Sequence, residues 1–82
     1  MNNFIIDFVS DLEHEHLVAE ISFMGQRLCV IDKENGGENM MIEFLVDLYV
    51  LPQSIKMKFK LSEFEGAILA AKTDLANANN GA

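Results

Sequence analysis

Between Leu17 and Phe44 apolar residues recur at every second position, and the run is broken twice, at Gly25-Gln26 and at Asn35-Gly36-Gly37. Successive strand side chains point to opposite faces, so this period marks strands that lay one face on a core. Interruptions of two or three residues that carry glycine are hairpin turns, too short for the crossover that parallel strands need. The middle of the chain is therefore expected to be an antiparallel meander. A two-residue loop at Gly25-Gln26 sets Met24 opposite Arg27, turns Phe23–Leu28 and Ile21–Val30 inward, and turns Ser22–Cys29 and Glu20–Ile31 outward. A three-residue loop at Asn35-Gly36-Gly37 sets Glu34 opposite Glu38, Val30 opposite Ile42 and Leu28 opposite Phe44. Both turns then send Phe23, Leu28, Val30, Ile42 and Phe44 to one face.

The flanks complete the fold. Phe4, Ile6 and Phe8 alternate with Ile5, Asp7 and Val9 as a first strand, followed by an acidic connection from Ser10 to His16. Ile55, Met57, Phe59 and Leu61 alternate with Lys56, Lys58 and Lys60, which predicts a strand whose outward lysines guard against edge pairing. The apolar stretch Val46 to Leu51, ahead of Pro52, reads either as a strand extension or as an ordered loop. Ser62 and Glu65 have capping-box spacing, and the helix they open has an inward stripe of Phe64, Ala67, Ile68, Ala71 and Leu75. Met57, Phe59, Phe64 and Ile68 join the expected core. The predicted fold class is α+β: two layers, a mainly antiparallel sheet of about five strands with one C-terminal helix packed on one face and the other face open. Eighty-two residues hold one core, expected over residues 1–76, with a flexible Ala, Asn and Gly tail over 77–82.

Little in the chain points to catalysis. Glu13-His14-Glu15-His16 has metal-ligand residue types, but histidines two apart supply at most two ligands on one side, and a solvated turn is the simpler reading. The same histidines titrate near neutral pH and offer a way to modulate an interface. Gly36-Gly37 leads into a strand and not into a helix N-terminus, so it is a turn and not a phosphate cradle. Cys29, the lone cysteine, has no cationic neighbour beyond Arg27 and reads as a sheet residue. No acid and base pair up in a catalytic pattern, and neither enzymatic activity, a metal nor a cofactor is expected.

Surface chemistry is what remains. Thirteen acids stand against six bases, a net charge of −7, and residues 1–55 carry ten of the acids and two of the bases. That balance disfavours direct contact with nucleic acid or an anionic membrane and favours a basic protein partner. No stretch approaches the ~20 apolar residues of a membrane-spanning helix, and a cytoplasmic location is expected. The candidate partner-binding residues are Asp7, Glu20 and Glu43, expected on the outer sheet face among Val18, Cys29, Ile31 and Met41, together with Asp47, Leu48, Tyr49 and Leu51. The plainer alternatives are an ordinary solvated face for the acids and a cover over the sheet edge for the apolar stretch. Self-association into a homodimer or a homo-oligomeric structural or regulatory subunit is the competing class.

The run Glu13-His14-Glu15-His16-Leu17-Val18-Ala19-Glu20-Ile21, with Gly25, Ile31-Asp32-Lys33-Glu34, Asn39, Ile42-Glu43-Phe44, Phe64-Glu65 and Ala71-Lys72, resembles small bacterial immunity proteins of contact-dependent growth inhibition systems. The likeness extends from about Asp11 to Lys72 and departs at Val46 to Leu51, where similar sequences are more polar and glycine-rich. It implies a cytoplasmic protein that binds and blocks the cognate toxin domain of a delivered effector, often a basic nuclease. An acidic inhibitor complements such a domain.

Overall fold

The computed structural model describes residues 3–10, 12–45 and 58–78. Four strands, β1 (Phe4–Val9), β2 (Val18–Phe23), β3 (Gln26–Asp32) and β4 (Met41–Phe44), form one antiparallel sheet in the order β1-β2-β3-β4, and a single helix, α1 (Leu61–Asn77), follows. The α+β class and the meander are as the alternation predicts, with four strands among the described residues in place of about five. The expected lysine-guarded strand is not one where it is described: residues 58–60 are irregular and Leu61 opens the helix. Ile55 and Met57 lie outside the described residues.

Both hairpin registers differ from expectation, for identifiable reasons. The first turn is Met24-Gly25, with φ of 51° and 86°. Positive φ at both central positions is the type I′ turn whose twist suits a hairpin, so glycine takes its second position and not the first. Phe23 then faces Gln26 and Ser22 faces Arg27, before a bulge that leaves Leu28 as the extra residue and sets Ile21 against Cys29 and Ala19 against Ile31. The second connection runs from Lys33 to Met40 as two successive turns, in which the Gly36 N–H donates to the Lys33 carbonyl at 3.0 Å and the Asn39 N–H to the Gly36 carbonyl at 3.0 Å. It places Cys29 opposite Phe44 and Ile31 opposite Ile42.

The inward set changes accordingly. Ala19, Ile21, Cys29 and Ile31 form the core with Ala71 and Leu75 of the helix, and Leu28, Met40 and Ile68 pack against its margin. Val30, expected inside, points to the face opposite the helix; Cys29 and Ile31, expected outside, are inside. That opposite face is not bare, because Val18 and Val30 on it are both buried.

α1 lies on β1 and β2. Its buried stripe is Ala67, Ala71 and Leu75, flanked by half-buried Phe64 and Ile68, which matches the expected face. Small side chains at Ala67, Ala71 and Ala19 let helix and sheet approach closely. The helix starts one residue before Ser62, and no side chain caps it; instead the Lys60 carbonyl accepts the N–H groups of both Glu63 and Phe64 at 3.1 Å. Phe4, Phe23, Phe59 and Phe64 stack at one end of the sheet with ring centroids 4.7–5.8 Å apart. Because the helix lies mainly over β1 and β2 and leaves β4 uncovered, Ile42 and Phe44 share its face of the sheet yet stay 44% and 59% exposed, and the expectation that both are core residues fails.

Candidate functional site

Cross-strand pairing decides which carboxylates meet. Asp7 faces Glu20 across β1 and β2, Glu20 faces Val30 across β2 and β3, and Val30 faces Glu43 across β3 and β4. Residues that face one another share a side of the sheet, so Asp7, Glu20 and Glu43 stand in one row on the face away from the helix. Asp7 and Glu43 are exposed, and three strand spacings separate them by roughly 14 Å. Like charges directly opposite destabilise a sheet, and Arg27 relieves the Asp7–Glu20 pair by donating its Nε–H to Glu20 Oε2 at 3.0 Å. Asp7 and Glu43 have no cationic partner among the described residues. The row is thus acidic at both ends and partly neutralised in the middle.

Asp47, Leu48, Tyr49 and Leu51, the other expected contact residues, lie outside the described residues. The structure adds exposed apolar side chains that the alternation had assigned to the core, Ile42 and Phe44, beside exposed Met41. The alternation sets both on the helix side of the sheet, as observed. What it does not announce is how far across the sheet a single helix reaches, and α1 leaves β4 uncovered.

The Glu13–His16 connection is more than a solvated turn. The Glu34 carboxylate accepts the Glu15 N–H at 2.9 Å and the His16 N–H at 3.0 Å, one on each oxygen. These bonds, the Glu15 one first, hold the Glu34 carboxyl below the usual carboxylate range, with His16 and His14 adding to the effect. His14 Nε2 lies 3.8 Å from Asp32 Oδ2, while the other Asp32 oxygen accepts the Glu34 N–H at 3.2 Å. Lys33, between them, donates from Nζ to the carbonyls of Leu75 at 2.7 Å and Ala78 at 3.2 Å. The last turn of α1 holds no basic residue of its own, so Lys33, the residue after β3, supplies the cation that its terminal carbonyls favour. Asp32, Lys33 and Glu34 thereby tie the β1–β2 connection and the helix end to one strand.

Cys29 is fully buried, and burial pushes its thiol up to about 11, so it is not a poised nucleophile. Among the described residues no three His, Cys, Asp or Glu side chains converge as a metal site, and no helix is long and apolar enough to cross a membrane. A groove of about 490 Å³ runs between α1 and β4, lined by Ile31, Glu38, Met40, Ile42, Ile68 and Lys72. No protein-family model, curated protein or solved structure matches this chain.

Proposed function

We propose that this chain is an immunity-type inhibitor that binds a basic toxin domain in the cytoplasm, with the carboxylate row on the outer sheet face as its docking charge. The observation that carries the reading is that Asp7, Glu20 and Glu43, far apart in sequence, stand in one row across the four strands. Folding gains nothing from setting Asp7 against Glu20, whereas a basic partner converts that repulsion into attraction. The net charge of −7 and the resemblance to immunity proteins support the same reading. The partner it fits best is a nuclease, whose phosphate-binding surface is cationic.

The experiment is a search of the neighbouring genes for a large secreted protein with a basic C-terminal domain, followed by co-expression of that domain with this chain; the absence of such a gene would count against the reading. Wild type protects the cell, and the double reversal Asp7→Lys with Glu43→Lys loses protection while its melting temperature stays within a few degrees. Full protection by the folded double variant would overturn the assignment.

A homo-oligomeric subunit is the second reading, favoured by the exposure of Met41, Ile42 and Phe44 on the edge strand β4. Sedimentation separates the two: an inhibitor of this kind is a monomer at micromolar concentration, and a structural subunit is not.

A further inference from the structure

We infer that the β4 edge is a strand-addition site, which takes an extended segment of the partner with basic and apolar residues in alternation. Among the described residues β4 closes one side of the sheet, and the Leu45 N–H continues its pairing with β3 by donating to the Leu28 carbonyl at 2.7 Å. Leu28 and Leu45 extend the register that opposes Val30 to Glu43 and Asp32 to Met41. Directly opposed antiparallel residues alternate between bonded and non-bonded pairs, so Met41, Glu43 and Leu45 direct their backbone groups to β3. The N–H and C=O groups of Ile42 and Phe44 therefore point away from the sheet, and among the described residues nothing accepts or supplies their hydrogen bonds.

The side chains along this edge specify what fits. Ile42 and Phe44 expose apolar surface beside the groove that Ile31, Met40 and Ile68 line, so the added strand's residues on that side are apolar. Glu43 points to the other face, at the end of the carboxylate row, so the residue set beside it is lysine or arginine. The short strand has neither proline nor lysine to block pairing. A second copy of this chain fits less well, because it brings a net charge of −7 against the same charge. Main-chain hydrogen bonds then give affinity, and the alternating faces give specificity. This inference deepens the toxin-binding reading and rests on it.

The test uses the whole chain and two heptapeptides, one alternating valine with lysine and one alternating valine with glutamate, with amide exchange followed by NMR. In the protein alone the Ile42 and Phe44 amides exchange as fast as those of an exposed loop. Adding the lysine peptide slows both by at least about tenfold, and N-methylating the peptide's strand-facing amides removes the effect. Glu43→Lys weakens binding about tenfold, and the glutamate peptide does not bind. Three results would overturn the site: protection of both amides before any peptide is added, equal binding of the N-methylated peptide, or no binding of the lysine peptide. The toxin-protection assay with Asp7→Lys, on the strand farthest from β4, tests the acidic row independently of this edge.

Discussion

Glu34 shows how much one side chain can organise without being buried. Its two oxygens hold the backbone of Glu15 and His16, and its pKa is lowered because those N–H groups favour the ionised form. A folded-state pKa below the unfolded value of ~4.3 means stability that is fully present above that value and is lost as pH falls through the folded one. The melting temperature of Glu34→Gln should lie below wild type near neutral pH, with the gap closing under acid. A gap that stays constant from neutral pH to pH 3 would mean that the carboxylate charge is not what holds the connection. None of this is legible in the sequence, because the donors are backbone groups eighteen and nineteen residues away and leave no mark in residue types. Cys29 is the opposite case: its place in a strand is plain from the alternation, but a one-residue difference in register decides which face it takes. With its thiol pushed up to about 11, only about one molecule in a thousand is thiolate at pH 8, and alkylation by iodoacetamide should wait on unfolding. Labelling of the native protein as fast as of the denatured chain would contradict its burial.

At the scale of elements, the helix is readable from the sequence and the hairpins are only half readable. The stripe Ala67, Ala71 and Leu75 follows from helical periodicity, which no turn can displace. Strand faces depend on turn geometry, and Met24 holds a positive φ that side-chain type does not announce for methionine. Of the Lys and apolar alternation before Leu61 only residues 58–60 are described, and there period two accompanies an irregular approach to the helix, with Phe59 drawn into the aromatic stack. The corrected packing redistributes the energetics. Leu75→Ala, at a fully buried helix position, should cost about 2–5 kcal/mol in chemical denaturation. Phe44→Ala, more than half exposed on β4, should cost under about 1 kcal/mol. Equal losses at the two positions would mean that β4 is covered. Lys33→Ala should fray the C-terminal turn of α1, seen as faster amide exchange there with the sheet amides unchanged, since only the helix end loses its cation.

For the whole molecule, the sequence supplies the charge and the sheet decides where it is felt. The count of acids and bases makes a basic partner the natural expectation, and strand alternation puts Asp7, Glu20 and Glu43 on the outer face, where cross-strand pairing sets them in a single row. What cannot be read there is the ion pair of Glu20 with Arg27, which needs the tight Met24-Gly25 turn to bring the two side chains to 3.0 Å. That pair leaves Asp7 and Glu43 as the two unpaired ends of the row among the described residues, so reversing those two is a cleaner probe of the proposed docking than reversing Glu20. Exposed charges attract over about a Debye length, ~8 Å at physiological salt, and therefore act mainly on the rate of encounter. The most direct measurement is the association rate constant of this chain with the proposed toxin domain across ionic strength, for wild type and for the Asp7→Lys, Glu43→Lys double variant. The acidic-row reading predicts a wild-type rate that falls steeply with added salt, a variant slower by at least about tenfold at low salt, and dissociation rates that differ far less. Association indifferent both to salt and to the two reversals would contradict it and leave the acidic face as a matter of solubility alone.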